Sequence, residues 1–343
     1  MTDIKDLTFS ELENEISGLG ESSYRARQIF SWLYRAGSHE FNEMGNIPKV
    51  LKDKLNKDYY VSGLEVSEHL KSADGTEKIL FKLQDGRFTE TVLIPAKRRK
   101  TLCLSTQVGC KFACPFCASG SNGYTRNLTS SEIVNQALYF QRDLKHKITN
   151  YVFMGMGEPL DNYENVAKSI AILNDAKGMN IGARRITLST CGIIPGIEKL
   201  KCLGLQVNLS VSLHAGNDEL RNKLMPVNKR YPLKKLIKAC EDFRDKTGRM
   251  TTLEYILIRG VNDSPQDSDD LAAIAKRLRA KVNLIRYSAV PNSSFQSPEE
   301  KDRIVFMKRL VSGGVSATLR KSKGKDIQAA CGQLAGGLSQ SGG

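Results

Sequence analysis

Leu102-Cys-Leu-Ser-Thr106-Gln-Val-Gly-Cys110-Lys-Phe-Ala-Cys114-Pro-Phe-Cys117 is a short apolar strand running straight into three thiols spaced Cys-x3-Cys-x2-Cys. Three thiolates from one loop can hold three corners of a cubane iron-sulfur cluster and leave the fourth iron open to a small molecule. Tight cysteine spacing also marks structural zinc, which is normally closed by four ligands from two separated knuckles. There is no second knuckle here. Cysteines 103, 191, 202, 240 and 331 stand singly, and none of the four histidines lies within ten residues of the triad. The spacing favours iron-sulfur over zinc, with Phe116 placed to shield a cluster from water.

Outward from this stretch the chain repeats. Short β-branched strands are expected at Leu102-Cys-Leu-Ser-Thr, Tyr151-Val-Phe-Met-Gly-Met, Arg185-Ile-Thr-Leu-Ser-Thr, Val207-Asn-Leu-Ser-Val-Ser-Leu, Leu253-Glu-Tyr-Ile-Leu-Ile and Val282-Asn-Leu-Ile-Arg-Tyr. Helical patterns lie between them, the clearest opening on the capping-box sequence Thr129-Ser-Ser-Glu132. Such alternation means α/β architecture with a parallel sheet, and six units can curl into a partial (βα)6 TIM-like barrel. Ser316-Ala-Thr-Leu-Arg is a candidate further strand. Reactive groups of parallel barrels sit at the carboxyl ends of the strands. Here the triad follows the first strand, Gly155-Met-Gly157-Glu158-Pro159 the second, Ser189-Thr190 the third and Ser212-Leu213-His214 the fourth. Arg286-Tyr-Ser288 ends the sixth, so polar groups from several strands converge on one mouth.

Residues 1 to about 60 read as a helical unit, from Phe9-Ser-Glu-Leu-Glu-Asn-Glu-Ile and Tyr24-Arg-Ala-Arg-Gln-Ile-Phe-Ser-Trp-Leu-Tyr. Between Lys78-Ile-Leu-Phe-Lys-Leu and Phe88-Thr-Glu-Thr-Val-Leu-Ile, Asp85-Gly86 signals a tight hairpin. The expected organisation is a small N-terminal α+β accessory domain (1–95), the partial barrel (96–325) and a C-terminal tail (326–343).

The formal net charge is +14. Basic groups cluster at Lys97-Arg98-Arg99-Lys100, Arg184-Arg185, Lys229-Arg230, Lys234-Lys235 and Arg320-Lys321-Ser-Lys323-Gly-Lys325. That spread suits a long polyanion contacted through its phosphate backbone. No run approaches the roughly 18 apolar residues of a membrane span, and MTDIKDLTFSELENE does not read as a signal peptide. With eight cysteines and a metal-type triad, the expected compartment is a reducing cytoplasm.

Cys-x3-Cys-x2-Cys after one strand and Gly-Glu-Pro after the next resemble the radical S-adenosylmethionine (SAM) superfamily. Glu90-Thr-Val-Leu-Ile-Pro95, Leu102-Cys103, Met154-Gly-Met-Gly-Glu-Pro-Leu160, Ser212-Leu-His214, Leu224-Met-Pro-Val-Asn228 and Asp326-Ile-Gln-Ala-Ala-Cys331-Gly-Gln-Leu334 are similar to the RlmN family of RNA adenine-C2 methyltransferases. The resemblance spans nearly the whole chain. It implies one [4Fe-4S] cluster on Cys110, Cys114 and Cys117, two SAM per turnover, and a SAM pocket formed by Gly157, Glu158, Ser189, Ser212, Leu213, His214 and Ser288. The implied partners are 23S ribosomal RNA at the peptidyl-transferase centre, certain transfer RNAs, and a flavodoxin-like electron donor; no membrane is involved.

Carbon 2 of adenine is not nucleophilic, so polar attack on SAM cannot methylate it. The resemblance implies instead that Cys331 takes a methyl from one SAM. A radical made from a second SAM activates that methyl for addition to the base. Cys103 then attacks the sulfur of Cys331, forming a transient disulfide that releases product, and Glu90 is the base that removes the ring proton. The family commonly has Asn where Ser288 stands, so a water or Asn292 would substitute. Arg286 and Tyr287 read more like the sister Cfr family, which methylates C8 of the same adenosine, and leave C2 against C8 open. The alternative of another class is a zinc-stabilised RNA-binding protein without catalysis.

Overall fold

The computed structural model describes residues 1–291 and 293–337. Seven parallel strands carry the barrel: β1 (Arg99–Cys103), β2 (Asn150–Phe153), β3 (Ile186–Thr190), β4 (Asn208–Ser212), β5 (Thr252–Leu257), β6 (Lys281–Arg286) and β7 (Ala317–Arg320). Each is hydrogen-bonded to its successor in chain order. The expected six-strand barrel thus gains the seventh strand anticipated at residues 316–320. The strands are buried on both faces where helices cover them, β5 from Leu253 to Leu257 without a break, as parallel strands require.

The crossovers are helical. α1 (Ser130–Leu138) leads from β1 to β2, α2 (Tyr163–Asn174) to β3, and α3 (Ile194–Leu200) to β4. α4 (Asp218–Leu224) and α5 (Leu233–Thr247) lead to β5, α6 (Pro265–Leu278) to β6, and α7 (Glu300–Ser312) to β7. The capping box read from sequence is present: the Thr129 side chain accepts the Glu132 N–H, and Glu132 accepts the Thr129 N–H. One remaining orphan N–H of α1, and a hydroxyl beside it, are served from the N-terminus. Asp6 Oδ1 accepts from Ser131 N at 2.7 Å and from Ser130 Oγ at 2.8 Å. Lys5, almost fully buried, donates to Ser62 O at 2.7 Å and Asn135 Oδ1 at 3.0 Å.

The helical unit forms as expected, with helices at Phe9–Gly18, Ser23–Ser31 and Lys49–Asp58. Phe9 meets Phe30 edge to face, ring centroids 5.5 Å apart. The hairpin also forms, with Gly86 at φ +79° between Glu77–Lys82 and Phe88–Ala96. Its relation to the barrel differs from a free-standing accessory domain. Strand Phe88–Ala96 turns at Lys97-Arg98 and pairs antiparallel with β1, Val92 opposite Cys103 and Ala96 opposite Arg99. With Glu65–Lys71 beyond, three antiparallel strands continue the parallel sheet into ten strands. The division at 95 therefore falls inside one hydrogen-bonded sheet, because a two-residue turn leaves the chain no length to separate the units.

Asp6→Ala removes acceptors from two donors at the start of α1. It should lower the unfolding free energy by about 1 kcal/mol, the usual worth of a helix cap, read as a shift in urea midpoint at unchanged slope.

Candidate active site

The carboxyl ends of the parallel strands open on one cavity with about 940 Å³ of atom-free space, part of it open to solvent. One wall is the triad loop. Gln107–Gly109 pairs with Tyr124–Asn127 at its base, and Gly109 stands at φ +77°, where a Cβ would lie 1.9 Å from Gly123 O. Cys110 N donates to that same carbonyl at 2.8 Å. Cys110, Cys114 and Cys117 all line the cavity, beside Phe112 and Phe116. Burial pushes the Cys110 thiol up to about 12 and that of Cys114 well above its ordinary value, so metal must displace protons to bind. Among the described residues no three His, Cys, Asp or Glu side chains converge as a single ion would need. A cubane takes each thiolate on a different iron, so its ligands need not converge.

Facing the triad, the turn after β2 carries Gly157 at φ +93°, where a Cβ would lie 2.5 Å from the Gln107 Cβ. Only glycine fits, and it delivers Glu158 into the wall. Glu158 is buried at 4% exposure. Its Oε1 accepts from Leu160 N at 3.0 Å and its Oε2 from Cys191 N at 2.7 Å. Burial raises its pKa even against these donors. Ser189 and Ser212, at the ends of β3 and β4, line the same space.

His214 does so from a left-handed backbone, φ +59°. Its Nδ1 accepts the Ile256 N–H at 3.1 Å, so the proton of the neutral ring sits on Nε2, leaving a donor for a ligand. Burial, then the charge of Arg221, depresses its pKa to about 3. Phe116 meets its ring edge to face at 4.9 Å. Leu213 is buried and lies outside the lining of the cavity. Its carbonyl accepts from Arg221 Nε at 3.1 Å, so it shapes the pocket from behind.

The tail folds across the mouth. Cys331 lines the cavity, held by Gly332 O accepting from Ala118 N at 2.7 Å and Leu334 O accepting from Ser119 Oγ at 2.6 Å. It keeps accessible surface inside the cavity while the surrounding protein pushes its thiol pKa up. Cys103, buried on β1, packs with Ala329 and Leu334 of the tail. Its pKa is pushed up to about 12, by burial first and then by Cys331. Both cysteines are free thiols. Glu90 is 2% exposed rather than solvated as a hairpin carboxylate would be. Its Oε1 pairs with Lys78 Nζ at 3.0 Å, and its Oε2 accepts from Ala335 N at 2.8 Å and Gly336 N at 3.2 Å. It lies under the tail, outside the cavity lining. Ser288 lines a smaller adjoining pocket with Arg286, Arg320 and Cys331. Asn292, the alternative to it, lies outside the described residues, as do residues 338–343.

Residues 2–61 match the family model of the ribosomal RNA large subunit methyltransferase N-terminal domain, and residues 104–272 that of the radical SAM superfamily. The chain is 46% identical to the dual-specificity RNA methyltransferase RlmN of Syntrophus aciditrophicus, over 97% of this chain and 96% of that one. It is 45% identical to the protein of the same name from Geotalea uraniireducens, over 98% of each. The crystal structure of a radical SAM methyltransferase from Sphaerobacter thermophilus superposes with a TM-score of 0.93 at 43% identity, covering 98% of this chain and all of that one. The chain belongs to the RlmN family of radical SAM methyltransferases.

Members use one [4Fe-4S] cluster and SAM, two SAM per turnover. The donor set fits. Three thiols without a fourth protein ligand suit a cubane, and the Glu158 carboxylate with the His214 Nε2–H suits a zwitterionic amino acid and its nucleoside. A non-catalytic zinc module does not survive this membership.

Four residues that the family reading passed over also shape the site. Cys191 lines it and holds Glu158 through its N–H; its place directly after the third strand was a usable signal. Glu254 and Arg320 line it from β5 and β7, Arg320 Nη1 lying 3.6 Å from Glu254 Oε2. Arg221 had no sequence signal, since on α4 it reads as a surface charge.

Replacing Cys110, Cys114 and Cys117 together with Ala should abolish the brown colour and the acid-labile sulfide of protein purified without oxygen; retained iron and sulfide would refute the ligand set. The unfolded chain protonates His214 near 6.5 while the folded one keeps it neutral to about 3. The unfolded state therefore binds more protons across that window, and stability falls as pH drops through it, by about 1.4 kcal/mol per pH unit at most. Comparing urea midpoints of apo wild type and His214→Gln, the wild type should lose more stability on acidification; parallel loss would sink the assignment.

Proposed function

We propose that this protein methylates C2 of an adenosine in 23S ribosomal RNA, and an adenosine in transfer RNA, by way of S-methylcysteine at Cys331. The observation that carries the reading is the placement of Cys331 in the same cavity as the triad and Glu158, with Cys103 packed beneath its tail. An enzyme that transferred a methyl directly from SAM to its substrate would have no use for a thiol there. The relatives' name, dual-specificity RNA methyltransferase, supports RNA as substrate, and so does the net charge of +14.

When bound, the cluster and SAM supply a methyl group and a carbon-centred radical. The chain's own residues do the rest. Cys331 carries the methyl carbon as a thioether, on the accessible wall of the cavity that it shares with the triad. Cys103, as its thiolate, attacks the Cys331 sulfur once that sulfur's carbon is bonded to adenine: the S–S bond forms, the S–C bond breaks, and the electron pair left on carbon takes up a proton to give the product's methyl group. Glu90 takes the ring proton. Lys78 stays on its Oε1, while Oε2 is released when Ala335 and Gly336 lift away.

In this reading residues 1–95 contact RNA, 96–325 catalyse, and 326–343 deliver Cys331. A flavodoxin-like protein supplies electrons, and the site of action is the cytoplasm. Among the described residues no helix is long and apolar enough to cross a membrane. The C8 alternative is supported by Arg286 and Tyr287 after β6, and mass spectrometry of the RNA separates 2-methyl from 8-methyl adenosine.

Cys331→Ala should keep the cluster's absorbance and lose methyl transfer to RNA entirely; an active variant would end the thioether mechanism. Cys103→Ala should instead accumulate a covalent protein–RNA adduct, seen as a nuclease-sensitive band of reduced mobility. Its absence under turnover would remove the resolving role from Cys103.

A further inference from the structure

The triad loop has few ties to the rest of the protein. Cys110 N donates to Gly123 O at its start, and Ala118 N to Gly332 O just past its end. Between them, among the described residues, the backbone of 111–116 forms hydrogen bonds only inside the loop, Cys114 O accepting from Cys117 N at 3.0 Å. Ala113 stands at φ +47°, a left-handed conformation that costs a residue bearing a Cβ and persists only where the surroundings hold it. One side chain of the loop reaches out with a polar bond. Lys111 Nζ lies 2.6 Å from Asp161 Oδ1, with the Phe112 and Tyr124 ring centroids at 5.8 and 5.7 Å.

Asp161 belongs to the opposite wall. It lies three residues past Glu158, and its N–H donates to Glu158 O at 3.1 Å. Its Oδ2 accepts from Gln107 Nε2 at 2.9 Å. Gln107 is fully buried, and its amide is fully used: Nε2 also donates to Asn127 Oδ1 at 2.8 Å, and Oε1 accepts the Glu158 N–H at 2.8 Å. Lys111, Asp161, Gln107 and Glu158 therefore form one unbroken chain of polar contacts from the triad loop to the facing turn. An exposed ion pair contributes little by itself. Here the carboxylate is only 16% exposed and already fixed by Gln107, so ordering the pair costs the freedom of one side chain, not of two.

We infer that Lys111 and Asp161 are positioning residues for SAM, fixing the spacing between the open iron that the triad loop carries and the Glu158 carboxylate. An amino acid held on that iron through its amino and carboxylate groups meets Glu158 at one spacing only. A loop free to drift by about 1 Å would offer the iron without the carboxylate, and misplacement on that scale is costly. Neither Lys111, Asp161 nor Gln107 lines the cavity, whereas Cys110, Phe112, Glu158 and Pro159 do, so the chain acts through its neighbours, as partners that orient metal ligands do. The inference holds whichever substrate the radical attacks.

The test compares cluster-loaded full-length protein as wild type, Lys111→Met, Asp161→Asn, the double variant and Lys111→Arg. Lys111→Met keeps the stem and removes the charge; Asp161→Asn keeps an oxygen for Gln107 and turns an amide nitrogen on Lys111. Iron and acid-labile sulfide per chain should be equal in all five. Affinity for radiolabelled SAM should fall about tenfold in Lys111→Met and in Asp161→Asn, the low end for a residue that orients a ligand through another, because Lys111 is half exposed. The double variant should lose no more than either single one, since both break the same link, and Lys111→Arg should restore the affinity. The change that SAM makes in the electron paramagnetic resonance signal of the reduced cluster should need about tenfold more SAM in Lys111→Met and reach the same final form. Additive losses in the double variant would overturn the inference. So would iron and sulfide falling in step with SAM binding, which would make the pair a prop for the loop alone. Unchanged SAM affinity with a shifted reduction potential would overturn it too, leaving Lys111 as a charge beside the cluster.

Discussion

A guanidinium taken wholly out of water is tolerable only when its donors are met, and Arg221 is the largest fully buried side chain described. Its Nη2 donates to Cys191 O at 2.7 Å and Ser212 O at 3.2 Å, its Nε to Leu213 O at 3.1 Å, and its Nη1 to Asn228 Oδ1 at 2.8 Å. One side chain thus ties the ends of β3 and β4 to the Leu224-Met-Pro-Val-Asn228 segment. Parallel strands end with carbonyls that their ladder no longer satisfies, and here those carbonyls are gathered on a single cation. Cys191 in turn holds Glu158, and Leu213 precedes His214, so two of the cavity's polar walls inherit their position from Arg221. Asn228 is itself fixed by donating to Asp218 Oδ1 at 2.7 Å, which extends the brace to the start of α4.

The barrel was legible because its signals are local. β-Branched runs, a capping box and an Asp-Gly turn each act within a few residues, and most appear within one or two residues of their expected places; β1 lies three residues early at both ends and β2 ends three residues early. That the three thiols of the triad share one cavity wall was legible from their spacing in a single short loop. What could not be read depended on pairing between distant segments. Glu90 looks like a solvated hairpin carboxylate until the strand carrying it is seen hydrogen-bonded to β1 and covered by the tail. Ser288 stands two residues past a strand end, and only the path of the chain beyond it decides which of two adjacent pockets it enters. Arg221 has the surroundings of a surface residue in sequence, Asp218-Glu-Leu-Arg221-Asn-Lys, and is buried because its helix turns that face towards the strand ends.

Between β7 and residue 337 the chain has no helix or strand. It is held by contacts from elsewhere: Asp326 accepts from Ser72 Oγ at 2.6 Å, Gln333 Nε2 donates to Ala289 O at 2.9 Å, and Glu90 accepts from Ala335 and Gly336. Segments secured by scattered bonds without a ladder of their own open at lower cost than strands or helices. That suits the role proposed for this segment, carrying Cys331 to more than one partner. Several of its anchors come from the antiparallel strands before β1 and their turns, so that hairpin region and the tail meet beside the mouth.

The ten-stranded sheet runs from Glu65–Lys71 at one edge to β7 at the other, and these two edges do not pair. A closed barrel offers its mouth only along the axis. An unclosed one has a gap down its side, and a polymer lying along that gap can place an internal residue at the centre without threading an end through a ring. Here the segment after β7 spans that gap: Gly324 N donates to Asp74 Oδ2 at 3.0 Å and Asp326 accepts from Ser72 Oγ at 2.6 Å, so the antiparallel extension and β7 are joined across it by side-chain bonds and not by a ladder.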